Sequence, residues 1–480
     1  MTPIRACLLT ASLAAAGVAQ AQTASAPASA PASKPADSSL TWNGITLYGI
    51  VDIGLQYQTH GVPISDYFPA GTEAIIQKNS NGSVSAVTPN NWSQSRIGLS
   101  GNEPIAGDWS AVFRLETFFN PQSGDLSDAL KSLALNNGRP LASQSTNVDS
   151  SVAGQLFAGA AYAGFSSKTF GTLTFGRHVT PLADGIGKYD PMGASQAFSL
   201  IGFSGTTAGG GDTEDRRLDQ SIKYTGKFDW FHLGGLYQLS GASGSTNTAV
   251  QITVGGEFAG LSVDAYYAKK WNAVAAAALS GAQAKDVGDG ALCNPAVPAV
   301  PPVPAGSQCF SVSNSLAGTV SDNTTYAVMG SYGWETLKLF AGYEHIGFEN
   351  PDHPYAPGQI IIGGYQLAFV NNTAFNKEKT LQVFWGGLKY TVVPNFDLLA
   401  AFYGYKQNSF ATGANAGCSS TVASNRSGTE SSFSLVGDWR MSKRFDAYIG
   451  TFYTKVSDGL ASGFLNDSTL TTTAGIRFKF

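Results

Sequence analysis

Charge is scarce in this chain of 480 residues: Asp, Glu, Lys and Arg together make up 13%, about half of what ordinary soluble domains carry. The net charge of −4 and the absence of any basic cluster give no handle for a phosphate backbone, so no nucleic-acid partner is expected. Long apolar runs are missing too. Beyond the N-terminal segment no stretch approaches the roughly 18 residues of a membrane-spanning helix, and Ala273–Ala282 is too short and too alanine-rich. Histidines number five and are scattered: His60, His178, His232, His345 and His353. They supply neither metal-ligand spacing nor a hydrolytic triad, and His345 is the one candidate for pairing with a wall serine. Gly209-Gly210-Gly211 leads into Asp212 rather than a helix with Lys-Ser/Thr, so a phosphate loop is not supported. Neither catalysis, a metal nor a cofactor is expected.

Cysteines number four. Cys7 falls in an N-terminal segment with Arg5, an apolar stretch Leu8–Val18 and an Ala19-Gln20-Ala21 cleavage site, so residues 1–21 read as a signal peptide. The oxidising space beyond makes Cys293 and Cys309, which bracket a Pro-rich segment, a candidate disulfide, with Cys418 left over. Residues 22–40 are mostly Ala, Pro and Ser with nothing to bury, and read as a flexible periplasmic segment.

What the chain does have is glycine (56 residues), aromatics (11%) and alternation. The last stretch, TTTAGIRFKF, places Ala474, Ile476, Phe478 and Phe480 on one parity and Thr473, Gly475, Arg477 and Lys479 on the other. That is a strand with one apolar and one polar face. Ile45–Gln58, Ser93–Gly101 and the WSAVFRLETFF stretch beginning at Trp109 repeat the pattern, with Arg96, Arg114 and Glu116 alternating against Ile97, Phe113 and Leu115. Charge alternating with aromatics suits a wall with lipid on one side and water on the other. Continuing along the chain gives about sixteen strands. Short connections (such as Gly226–Asp229 and Arg440–Lys443) alternate with long ones (such as Thr59–Asn91, Pro121–Gly154, His178–Arg217 and Asn272–Asn323). A mean hydropathy of −0.03 fits the same picture. The fold class is therefore all-β: a transmembrane antiparallel β-barrel over residues 41–480, its short turns periplasmic. The strand ending at Phe480 closes it against the first strand. Trp42, Trp92, Trp109, Trp230, Trp271, Trp334, Trp385 and Trp439 fall near strand ends, where interfacial girdles sit.

LYGIVDIGL (Leu47–Leu55), SRIGLSGNEPIAGDWSAVFRLE (Ser95–Glu116), LFAGAAYAGFSSKTFGTLTFGR (Leu156–Arg177), DRRLDQSIKYTG (Asp215–Gly226) and the terminal AGIRFKF together resemble the Gram-negative general porins of the β-proteobacterial type. The resemblance implies a 16-stranded barrel, usually a homotrimer, embedded in outer-membrane lipid and lipopolysaccharide. It passes ions and small hydrophilic solutes by diffusion. It further implies that the third long loop, His178–Arg217, folds inward as a constriction. Arg96, Arg114 and Arg177 then form the basic side, and Asp184, Asp190, Asp212, Glu214 and Asp215 the acidic side. Arg177 shares the parity of Leu173 and Phe175, so it reaches the lumen only across a bulge or strand end. Members of the family often carry an arginine where this chain has Ala158-Gly159-Ala160, which leaves anion against cation selectivity open. Two other uses of such a barrel are a sugar- or carboxylate-specific channel and an adhesin or envelope anchor.

Overall fold

The computed structural model describes residues 40–61, 64–67, 82–140, 143–144, 151–203, 216–240, 248–290, 310–410, 425–461 and 465–480. The signal segment, nearly all of the Ala/Pro/Ser segment, and Asp212, Glu214, Asp215, Cys293, Cys309 and Cys418 lie outside them.

Period-2 alternation is realised as one continuous sheet. Its strands are β1 (Thr41–Trp42), β2 (Ile45–Gly61), β3 (Gly82–Pro89), β4 (Arg96–Ala106), β5 (Trp109–Phe118), β6 (Ala160–Ser167) and β7 (Gly171–Val179). There follow β8 (Arg217–Phe228), β9 (Phe231–Gln238), β10 (Ala249–Phe258), β11 (Leu261–Ala277), β12 (Ser315–Trp334) and β13 (Leu337–Glu349). The rest are β14 (Ile361–Ile362), β15 (Tyr365–Asn371), β16 (Lys379–Val393), β17 (Phe396–Gln407), β18 (Gly428–Arg440), β19 (Phe445–Asp458) and β20 (Ser468–Lys479). β3 and β4 are two halves of one broken stave, both paired with β2. Counting them once and leaving aside the short β1, β14 and β15, the wall is a closed antiparallel barrel of 16 staves.

Closure comes from β2 and β20, in register from Ile50 with Lys479 to Gln58 with Thr471. Gly49 and Phe480 exchange both backbone hydrogen bonds, at 2.9 and 3.1 Å. This pairing closes the wall on itself, so neither β2 nor β20 is left as an open edge along the seam. Along β20, Ala474, Ile476 and Phe478 are exposed on the outer face, while Thr471, Thr473 and Arg477 are buried inside. Ile97, Leu99, Phe165, Leu173, Phe175, Ile252, Val254 and Val328 continue the outer apolar surface. No helix among the described residues is long and apolar enough to cross a membrane; strands do the spanning.

The main differences from the sequence reading are in β3, β6, β11 and β12. β3 occupies part of the expected loop Thr59–Asn91. β6 begins at Ala160 rather than Gln155, because Phe118 closes the facing strand β5 and the chain before Ala160 turns inward. β11 and β12 run well past Trp271 and start well before Thr325, with a bulge between Lys270 and Ala273. Their extension buries Ala273, Val274, Leu316 and Val320 against helix α1 (Ala129–Ala134) and Leu367 of β15, which pairs parallel to β12. That packing makes a strand of an alanine-rich run whose side chains alone do not demand one.

The tryptophans divide. Trp42, Trp109, Trp230, Trp334 and Trp439 are exposed at the short-turn rim, and Trp271 is half-buried on β11. Trp92 and Trp385 are buried inside: Trp92 packs edge-on to Phe198 and Tyr448, and the indole of Trp385 donates to Tyr189 O. These two anchor the inner loop instead of the interface.

A candidate pore constriction

The site begins on three neighbouring strands. Arg114 and Glu116 lie two apart on β5 and so share the inner face; β4 brings Arg96, and β2 brings Tyr48. Arg114 Nη2 lies 2.6 Å from Glu116 Oε2 and Arg114 Nε donates to Tyr48 Oη at 2.7 Å. Tyr48 Oη donates to the same carboxylate oxygen at 3.0 Å. Arg96 Nε stands 3.6 Å from it. Glu116 keeps 5% of its side-chain surface, whereas Arg96 and Arg114 keep 31% and 30%. One buried carboxylate therefore underlies two guanidinium groups that still face water, leaving a positive surplus on this wall. Arg217, at the start of β8, adds a third guanidinium over the ring of Phe118, 4.6 Å from its centroid.

Arg177 reaches the interior in spite of its parity. The register shifts between Gly176 and His178, and Gly176 has φ +140°. A Cβ there would meet Ala161 O at 2.2 Å, so the bulge depends on glycine. The guanidinium is buried. It donates to Ala158 O (3.0 and 2.9 Å) and Ser151 O (2.5 Å), and pairs with Asp219 at 2.5 Å. It thus occupies the Ala158-Gly159-Ala160 segment, where the resemblance drew attention to a missing arginine, and ties down the end of the second long loop.

The third long loop does fold inward. Thr180 caps helix α2 (Pro181–Tyr189) by accepting from Ala183 N, with Pro181 at the first turn. Leu182, Ile186, Met192, Phe198, Leu200 and Ile201 are almost wholly buried against the inner wall. Polar anchors follow the same path. Leu182 N donates to Gln251 Oε1 (3.1 Å), and Tyr189 Oη and Ser262 Oγ share a hydrogen bond (2.6 Å). Tyr405 Oη donates to Leu200 O (3.1 Å), and Ser195 Oγ to Asn91 O (2.9 Å).

The two loop acids within the described residues have different surroundings. Asp184 receives Lys223 Nζ at 2.6 Å and keeps 18% side-chain exposure. Asp190 is buried: it accepts from Tyr403 Oη (2.6 Å), Met192 N (3.0 Å) and Ala194 N (2.7 Å). Burial pushes its carboxyl above the usual aspartate range, against the opposing pull of those donors. Geometry makes Asp190 a clamp on the loop rather than a group lining water.

The arginines bring in neighbours that the sequence reading did not assign to the constriction: Tyr48, Arg217, Lys223 and Tyr162, whose ring stacks on His178 with centroids 4.8 Å apart. Alternation was the available signal for Tyr48 and Lys223, since each shares parity with an inner-face partner. His345 shares a hydrogen bond with Gln382 at 2.8 Å, not with a serine.

Among solved structures, the chain is similar to the anion-selective porin from Comamonas acidovorans, at 16% identity and TM-score 0.56, covering 91% of this chain and 99% of that one. In-vitro folded OmpT, an outer membrane protein of Vibrio cholerae, matches at 12% identity and TM-score 0.52, covering 91% and 97%. Its trimer form matches at 12% and 0.52, covering 91% and 99%. No curated protein matches in sequence. The profile of the Gram-negative porins matches residues 8–459; the chain belongs to that family and is an outer-membrane channel for passive diffusion.

Proposed function

We propose that Arg96 and Arg114, with Arg217 beside them, form the basic side of a constriction whose other side is the inner loop at Asp184, and that the channel prefers small anions. The supporting observation is the stacking of two water-facing guanidinium groups on one buried carboxylate, Glu116. In a narrow, low-dielectric passage such a surplus raises the local concentration of anions and opposes cations. Asp184, already paired with Lys223, withdraws little from it. The structurally similar Comamonas acidovorans protein is anion-selective, which points the same way. No catalytic step is needed, since solutes cross down their own gradients.

The rest of the reading is a mature chain exported to the outer membrane after removal of residues 1–21. A barrel then follows the short periplasmic segment, surrounded by lipid and lipopolysaccharide and assembled as a homotrimer, the form in which the similar OmpT is also found. Planar-bilayer recording tests the central claim. Native channels bathed in a KCl gradient should give a reversal potential on the anion side, moving toward the cation side in Arg96→Ala/Arg114→Ala with conductance kept. An unchanged reversal potential in that double variant would remove these arginines from the selectivity step.

A further inference from the structure

A second cationic feature lies beyond the loop, toward the short-turn rim. Lys338 on β13 and Lys389 on β16 are direct cross-strand partners. Both share the inner parity, with Phe340 and Gly387 as the next inward pair. Like charges set directly opposite each other destabilise a sheet, and of this pair only Lys389 has an acid in contact, Asp397.

Their surroundings do not cancel it. Lys389 Nζ reaches Asp397 at 2.8 Å and keeps 34% side-chain exposure. Asp397, itself 1% exposed, is shared with Arg440 and accepts from Thr391 Oγ1 at 2.7 Å. Lys338 has no ion pair or hydrogen bond among the described residues; its ammonium stands 4.9 Å from the ring centroid of Phe340. The charges acting on it are Lys389, Lys188 and Glu257, and Glu257 and Asp264 are both engaged by Lys188, at 3.0 and 3.5 Å. Further round, Asp438 lies opposite Asp397 and beside Arg440, and Asp446 is held by Arg477 and Lys479 at 2.9 and 2.7 Å. Of the lysine pair, Lys338 has no acid in ion-pair contact among the described residues.

Pro191 of the inner loop rests on Gly387, where a Cβ would come within 2.5 Å of Pro191 Cγ. Lys389 is the next inward-facing residue on that strand toward the rim. The lysine pair therefore forms a ledge immediately beneath the loop. We propose that Lys338 and Lys389 bind the phosphate group of a solute as it leaves or enters the constriction on the periplasmic side. Two ammonium groups without a planar guanidinium fork act as point charges, which suits the tetrahedral spread of phosphate oxygens better than bidentate capture of a flat carboxylate.

The inference rests on the open-channel reading but not on the arginines of the constriction. The experiment is bilayer conductance of the full protein against increasing inorganic phosphate, added to either side, with acetate at matched ionic strength as control. In the native channel conductance should saturate with phosphate, more readily from the short-turn side, and rise linearly with acetate. Lys338→Gln should need about tenfold more phosphate for half-saturation, as expected for loss of one charge-assisted contact; Lys338→Arg should stay near native. Arg96→Ala/Arg114→Ala should move the reversal potential yet leave half-saturation in place, which separates the two sites. If Lys338→Gln does not insert, Lys389→Gln reads the same pair. Saturation unchanged in Lys338→Gln, or equal saturation with acetate, would overturn the proposal, and a protein without conductance would overturn the channel reading with it.

Discussion

Asp190 illustrates how much a single carboxyl does here. It receives a tyrosine hydroxyl and two backbone N–H groups, and burial still raises its affinity for a proton. The sign follows from linkage: the folded state holds that proton more tightly than the unfolded chain. Its contribution to stability is therefore full below the ordinary aspartate value, near pH 4, and falls as pH rises through the raised one. Asp190→Asn should flatten the part of the stability–pH curve that lies above the ordinary aspartate value, measured by thermal unfolding at a series of pH values; the native slope persisting in the variant would count against it. Arg177 makes a comparable case. Arg177→Ala would strand the Ala158 and Ser151 carbonyls and should cost about 2–4 kcal/mol in urea unfolding of the barrel. A cost near zero would mean that water replaces the guanidinium.

At the scale of elements, the alternation was legible wherever lipid and water lie on opposite sides of one strand. In β5 and β20 the inner and outer residues fall as their parity predicts, because burying Arg114 or Arg477 in lipid is so costly that no other register competes. Legibility fails where a second layer covers the inner face. PLADGIGKY does not announce a helix inside a barrel, yet α2 forms because Thr180 caps it and its apolar side chains meet an apolar wall. Trp92 and Trp385 were placed in the girdles because position along a strand does not distinguish an interfacial indole from one packed on a loop. Arg177 needed the bulge at Gly176; parity counting shows that a bulge or strand end is required there and not which of them forms. Gly176→Val should therefore abolish the bulge. The expected result is loss of folded barrel in a heat-modifiability gel, and a fully folded variant would show that the strand tolerates the straight register.

For the whole molecule, the inner loop decides what the 16 staves enclose. Its dry packing runs from Leu182 beside β10 to Phe198 and Leu200 beside β17 and β18. The exposed guanidinium groups stand on β4 and β5. Pore width therefore follows the loop more than the strand number. The closing contacts of that barrel join residues such as Gln56 and Thr473, separated by 417 positions in the chain and 3.0 Å apart in space. A seam of that kind has a temporal meaning. Neither β2 nor β20 can find its partner until nearly all the intervening staves are aligned, and loop-closure entropy makes such pairing late and slow. Until then both strands present bare hydrogen-bonding edges, and the unclosed chain passes through an interval in which the speed of its delivery to lipid decides between a barrel and an aggregate.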